Sequence, residues 1–307
     1  MPEPHTAHSG CPVTSTFGKN RNTVLILSGR LIVSILVMGL CSPVLSQVAV
    51  GHTSLLRSFE SSFESSDDFR GFSIVRAEDF DCAQELASKM VLQGGFSHKA
   101  WIFKARAEDN DGWIYRPHRA YPTIQLHKTP GGSFRTPCLI SLWVNLDMPL
   151  KQKSKGKIND WFSFATLSCD ESDRWNRCVL VNITNDGGPC SGYIHLVHVP
   201  KHGEQIHLFQ AGNDNDPKGE LRFPFNQWVR LDILIDFDGR NGYAKVWQNV
   251  ILVSYAKVEG GKGTLAQTHF GLYASAAIPF GSIFNDKLRI KEILNEVEAI
   301  ALVKAQW

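Results

Sequence analysis

Asn226-Gln227-Trp228-Val229-Arg230-Leu231-Asp232-Ile233, then Gly242-Tyr243-Ala244-Lys245-Val246-Trp247-Gln248-Asn249, then His269-Phe270-Gly271-Leu272-Tyr273 form the stretch on which the fold turns. Aromatic and β-branched residues fill each segment, and turn-forming residues such as Asp238-Gly239-Arg240-Asn241-Gly242 stand between them. That is the signature of short strands joined by turns. Outward from this stretch, similar runs recur at 121–128, 139–147, 161–168, 178–182, 193–199, 205–210, 228–236, 242–255, 268–274 and 287–293. The rhythm predicts an all-β antiparallel sandwich or jelly roll, and such folds run past 200 residues as one unit, so a single domain is expected over 70–293. Residues 47–69, which include the Ser/Glu/Asp-rich 58–68, read as a linker or first edge strand, and 294–307 as a tail with a short helix.

The 307 residues are 43% hydrophobic and 20% charged, with 8 Trp and a formal charge of +2. These values exclude a disordered tail, a collagen, a small disulfide scaffold and a strongly basic nucleic-acid binder. Residues 24–46 are apolar and follow Lys19 and Arg21. The clean run after Arg30, 31–40, suits a signal-peptide core and is too short for a spanning helix of about 20 residues. With Val44-Leu45-Ser46 as a cleavage site, 1–46 is expected to be a signal peptide, the alternative being an uncleaved anchor; the protein is then secreted, extracellular or periplasmic. Removal of 1–46 takes away Lys19, Arg21, Arg30 and Glu3, which brings 32 basic and 30 acidic residues to 29 of each. A neutral mature chain has little electrostatic support for a nucleic-acid partner.

Five cysteines then remain: Cys82, Cys138, Cys169, Cys178 and Cys190. Cys169 and Cys178 flank the polar turn 170–177 and are candidates for a loop-closing disulfide, with Cys190 as competitor. No Cys-x-x-Cys pair points to zinc, and no metal is assigned to the site. Structural calcium has two candidates: the loop with Asn213, Asp214, Asn215 and Asp216, which lacks the rest of the EF-hand spacing, and Asp286 near the last strand with Glu60 or Glu64 near the first. Asn182-Ile183-Thr184 fits the glycosylation sequon.

The order of the three opening segments resembles the closing half of concanavalin A-like jelly rolls, particularly heparin-lyase-like and alginate-lyase-like polysaccharide lyases. In those, a strand opening on Trp is followed by one ending Trp-x-Asn-Gly and by a final Gly-x-Tyr strand. The resemblance runs in order over 115–292 and is most specific over 226–275. It implies the fold more strongly than the activity, because the same architecture carries lectins, laminin-G-type modules, glucanases and lyases. Departures are plain. Val250 follows Asn249 where the family has glycine; His118-Arg119-Ala120-Tyr121 lacks the acid of the Arg-x-Glu strand; Gln205-Ile206-His207 comes too late in the strand order to be the Gln-Ile-His motif; His269 replaces a lysine.

Side-chain alternation places Thr123, Gln125 and His127 on one sheet face, Tyr193 with His195 on another strand's face, His269 with Tyr273, and Tyr243, Lys245, Trp247 and Asn249 together. Gly271 would leave room for a ligand. For a lyase acting on a uronic-acid polysaccharide, β-elimination needs a neutralised carboxylate, a base for the C5 proton and an acid for the leaving O4, with no cofactor. The resemblance implies Tyr273 as acid/base, His127 or His195 as base or carboxylate partner, and Gln125 with Arg119 as neutralisers; Tyr193, Lys245, Trp247 and His269 would line subsites. Trp143, Trp161 and Trp228 are assigned to the core. Hydrolysis is disfavoured, since it needs two carboxylates about 5–10 Å apart and the central strands carry no Glu. The expected function is therefore a secreted lyase-like protein acting as a monomer on an acidic polysaccharide, the alternative a non-catalytic carbohydrate-binding or adhesion module of the same fold.

Overall fold

The structure is a computed structural model that describes residues 56–65, 68, 73–79, 81–88, 95–104, 117–151, 160–172, 175–185, 187–203, 205–208 and 216–305. The expected export segment, the lysine-rich 152–159 and the Asn/Asp-rich 211–215 lie outside these residues. Seventeen strands and one helix follow in order: β1 Ser58–Ser61, β2 Ser73–Asp79, β3 Cys82–Ser88, β4 Ser97–Ile102, β5 His118–Gln125, β6 Phe134–Arg135, β7 Cys138–Asp147, β8 Trp161–Ser168, β9 Cys178–Thr184, β10 Ile194–Val199, β11 Ile206–Leu208, β12 Trp228–Asp236, β13 Tyr243–Gln248, β14 Ile251–Lys257, β15 Thr264–Leu265, β16 Gln267–Ala274, β17 Gly281–Glu292, and α1 Glu296–Lys304. No helix among the described residues is long and apolar enough to cross a membrane.

Two antiparallel sheets make a jelly-roll sandwich. One has eight strands in the order β14-β13-β12-β7-β17-β4-β3, with β1 pairing β17, and the other seven in the order β11-β10-β9-β8-β16-β5-β2. The core between them follows from alternation. In β7, Ile140, Leu142, Val144 and Leu146 point inward; so do Val229, Leu231, Ile233 and Ile235 of β12, and Phe162, Val179, Val181, Leu196, Phe270 and Leu272 of the other sheet. Each such side chain contributes roughly 1.5–3 kcal/mol by leaving water. The aliphatic inner positions leave no place for Trp143, Trp161 and Trp228, which sit half-buried on outer faces and not in the core.

Several boundaries differ from the sequence reading. The run 121–128 ends as a strand at Gln125, and Leu126–Lys128 turn into a single 3-10 turn. The run 242–255 is a hairpin, β13–β14, whose turn places Asn249 at φ 46° and Val250 at φ 66°. The last run belongs to a longer strand, β17, whose register shifts between Asp286 and Arg289, with Lys287 at φ 49°. Asn295 caps α1 by accepting from the Glu298 amide at 3.1 Å, and Glu298 returns the contact by accepting from the Leu294 amide. This reciprocal cap resembles a capping box. The helix covers Leu139, Leu234 and Trp247 on the outer face of the eight-stranded sheet. Arg230, paired with Asp232 at 2.9 Å, donates to the carbonyls of Leu302 and Ala305, so a cation sits at the helix C-terminus where the dipole favours it.

Candidate functional site

The outer face of the seven-stranded sheet carries the polar and aromatic side chains that the inner face rejects. Strand register sets them in transverse rows. Arg119 of β5 lies opposite Tyr273 of β16, Tyr273 opposite Ser163 of β8, Ser163 opposite Asn182 of β9, and Asn182 opposite His195 of β10. In the neighbouring row, His269 lies between Thr123 and Thr166.

Five rings gather where β5, β8 and β16 meet. Tyr121 stacks flat on His269, with centroids 3.8 Å apart and planes 12° from parallel. Tyr273 stands edge-on to Tyr121 at 6.1 Å, to Trp161 at 5.0 Å and to His269 at 5.9 Å. Trp175 closes over His269 at 5.0 Å. The Trp175 turn is held from below: Gln267 Nε2 donates to the carbonyls of Asp170 and Ser172, and Ser168 Oγ donates to the Asn176 carbonyl. Asp170 spends its carboxylate oxygens on the amides of Ser172 and Asn176.

The electrostatics of this patch are unusual. The Arg119 guanidinium lies 5.8 Å from the Tyr273 ring centroid and its Nε is buried without a partner, while the strand register sets Asp79 of β2 opposite Arg119. Both ring nitrogens of His269, Thr166 Oγ1 and Asn182 Oδ1 are likewise buried and unpartnered. Burial, with Arg119 adding repulsion, pushes the His269 imidazole down to about 3, so it is neutral. Burial raises the Tyr273 phenol above its ordinary value, against the opposing pull of Arg119. Unpaired buried polar atoms cost roughly 1–3 kcal/mol each, which makes their concentration on one face a mark of a site.

Of the residues assigned from sequence, Arg119, His269 and Tyr273 come together here, and Gln125 lies buried farther along the same face of β5. His127 does not join them: in the 3-10 turn its Nδ1 contacts the Ala266 carbonyl at 3.1 Å. His195 is on the face but three strands from Tyr273, ~14 Å at normal strand spacing. Tyr193 precedes β10 and turns inward, buried in the core with its hydroxyl 3.2 Å from the Asp216 carboxylate, because Gly192 at φ 80° reverses the chain there. Lys245 and Trp247 belong to the other sheet, where Lys245 pairs with Glu296 and Trp247 lies beneath α1, so neither lines a groove with Tyr273. Gly271, at φ 130°, leaves no room for a ligand: an added Cβ would lie 2.8 Å from His98 Cε1 and 3.0 Å from Tyr121 Cβ.

Residues the sequence did not single out complete the patch. Tyr121 and Thr166 were readable from alternation along their strands. Trp161 alternates the same way but was placed in the core. Trp175 carries no periodic signal, since it sits in a turn at φ 52°. Asn182 is 7% exposed within β9, which removes the sequon from the surface. Cys82, Cys138, Cys169 and Cys178 are free thiols and Cys190 is disulfide-bonded, so the Cys169–Cys178 loop is not closed. Burial pushes the Cys169 and Cys178 thiols up to about 11 and about 12. Of the calcium candidates, Glu60 is engaged by Arg289 at 2.7 Å. Burial, with repulsion from nearby Glu64, raises Asp286 to about 6, and no group of three metal-ligating side chains exists among the described residues.

No family model and no curated protein matches the sequence. Similar solved structures include the cellulose-induced protein Cip1, at 13% identity and TM-score 0.46, covering 75% of this chain and 95% of that one. Domain 4 of AbnA, an extracellular arabinanase of Geobacillus stearothermophilus in complex with arabinotriose, is 14% identical with TM-score 0.42, covering 81% and 99%. The receptor-binding domain of botulinum neurotoxin type G is 10% identical with TM-score 0.42, covering 80% of this chain and 50% of that one. The chain thus spans about half the length of the neurotoxin structure it matches. Likenesses this distant assign neither ligand nor activity.

Proposed function

We propose that the chain is a carbohydrate-binding module that holds an acidic glycan against the outer face of the seven-stranded sheet. Trp161, Trp175 and Tyr273 offer ring faces or edges to the sugar, and Arg119 meets its carboxylate or sulfate. The carrying observation is the partly buried Arg119 guanidinium, its Nε without a partner, among aromatic rings on the sheet, the combination of apolar surface and fixed polar contact that ligand sites use. An export segment at 1–46 fits a glycan met outside the cytoplasm.

The lyase reading has one supporting contact, the Arg119 guanidinium 5.8 Å from the Tyr273 ring. Against it stands the proton chemistry. A general base works best near the operating pH, whereas His269 lies near 3 and Tyr273 is shifted upward. The other assigned bases are off the strand or three strands away. The test is calorimetric titration with alginate, glucuronan, galacturonan and heparin tetrasaccharides, with cellotetraose as neutral control, alongside ultraviolet detection of unsaturated uronate product. Binding of at least one acidic tetrasaccharide, lost in Arg119→Gln and without product, is expected. Product formation would restore the lyase, and binding of none would overturn the glycan reading.

A further inference from the structure

His269 is the one ring of the patch whose burial no aromatic-platform role explains. It is 6% exposed, and both nitrogens lack partners within a ring stack that a phenylalanine could fill without stranding polar atoms. Charged and titratable groups lie around it on several strands. β5 contributes Arg119 and Tyr121, with Asp79 of β2 opposite Arg119 in the register, and β16 contributes Tyr273. From the 170–177 turn, Asp170 is committed to backbone amides, and Arg177 is committed to Glu259 at 3.0 Å. β8 supplies Thr166 and β9 the thiol of Cys178, while His195 of β10 stands three strands away. Arg119 is the charge that bears directly on the ring.

The geometry points to His269 as the second donor to the glycan's anionic group, which Arg119 and a protonated His269 grip together, so that each anion bound carries one proton into the site. This rests on the glycan reading above. The free imidazole stays neutral because burial and the guanidinium both oppose its charge. A bound carboxylate reverses both influences: it neutralises Arg119 and accepts an N–H from the ring. The ligand thereby raises the proton affinity of His269, and by linkage a lower pH tightens binding. The two nitrogens then have distinct uses, one toward the anion and one toward Thr166 Oγ1 across the β8–β16 pair or a water.

The sign is fixed. Between the proton affinities of the free and the bound site, each unit of acidification tightens binding by up to about tenfold, and above the bound-site value affinity is flat. The experiment titrates the wild-type chain with the same four acidic tetrasaccharides at pH 5 to 8, at each pH in two zwitterionic or amine buffers that hold that pH and differ in ionisation enthalpy, which reports the protons taken up. Uptake approaching one proton per ligand at the acid end, abolished in His269→Phe and retained in His195→Gln, is the expected result. Independently of any variant's folding, the His269 ring resonance of the wild-type chain is followed with and without ligand and should titrate at higher pH when bound. Binding with no proton uptake, or uptake that survives His269→Phe, overturns the role of His269 and leaves the glycan reading intact. Failure of all four to bind overturns both.

Discussion

Single residues in this chain are constrained by what lies on both sides of a strand. Gly271 shows this most sharply, because its missing Cβ is the space in which His98 and Tyr121 meet β16. Gly271→Ala is expected to destabilise the fold by roughly 2–3 kcal/mol, from strain at positive φ and overpacking. Displacement of Tyr121 should also weaken glycan binding beyond what reduced stability explains; thermal denaturation and titration at a temperature where the variant is folded check the two parts separately. Glu292 is the corresponding polar case. Its buried carboxylate accepts from Arg57 Nε at 2.9 Å, from the Arg57 amide and from the Arg135 amide at 2.7 Å. Burial alone would raise it, but these hydrogen bonds win and hold it below the ordinary carboxylate range. A depressed carboxylate contributes stability above its unfolded value and loses that contribution as pH falls through the folded one. Acidification below about pH 4.5 should therefore lower the denaturation midpoint. Glu292→Gln should cost roughly 2 kcal/mol at pH 7 and flatten that acid limb.

At the scale of elements, the β13–β14 hairpin carries a misplaced residue. Two-residue turns with both φ values positive favour Asn-Gly, and here Val250 takes the glycine position at φ 66°. A β-branched side chain resists this region, so Val250→Gly is expected to stabilise the chain by about 1 kcal/mol and raise the melting temperature by a few degrees. The missing glycine was visible in the sequence; its consequence needed the turn. The same contrast holds elsewhere. β7, β8, β9, β12 and β16 were legible because buried aliphatics alternate or run unbroken through them. β2, β3 and β4 were not, since Ser-Ile-Val-Arg-Ala-Glu-Asp puts charge on both faces, and Cys-Ala-Gln-Glu-Leu-Ala-Ser and Ser-His-Lys-Ala-Trp-Ile each put a polar Gln84 or His98 among the apolar positions of one face. In β4 an inward His98 is tolerated because Gln84 and Asn285 hydrogen-bond its two nitrogens. Face assignment succeeded for His269 and Tyr273, where the strand was correctly bounded. It failed for His127 and Tyr193, each one or two residues beyond a strand end, where alternation no longer applies. Lys245 and Trp247 were sorted correctly onto one face, but a strand's own pattern does not tell which of two sheets it joins.

For the whole molecule, the balance of charge decides how an acidic glycan can be held. With 32 basic and 30 acidic residues the chain has no broad positive field, and surface ion pairs such as Arg177–Glu259 and Lys291–Glu298 consume cations that might have supplied one. Attraction must then come from Arg119 locally, reinforced by contact with the rings. A polyelectrolyte binder that neutralises many ligand charges shows a steep logarithmic dependence on salt, with a slope close to the number of charges neutralised. One guanidinium predicts a slope near one, so raising salt from about 50 to 200 mM should weaken binding only about threefold to fourfold. Titration of the chosen acidic tetrasaccharide across that range measures the slope directly. A slope of three or more would mean that further cations beyond Arg119 contact the glycan, and would move the ligand off the patch described here toward another basic surface of the chain. A slope near one at pH 8, above the range in which His269 takes up a proton, would place the single charge contact there at Arg119 and leave the remainder of the binding energy to Trp161, Trp175 and Tyr273.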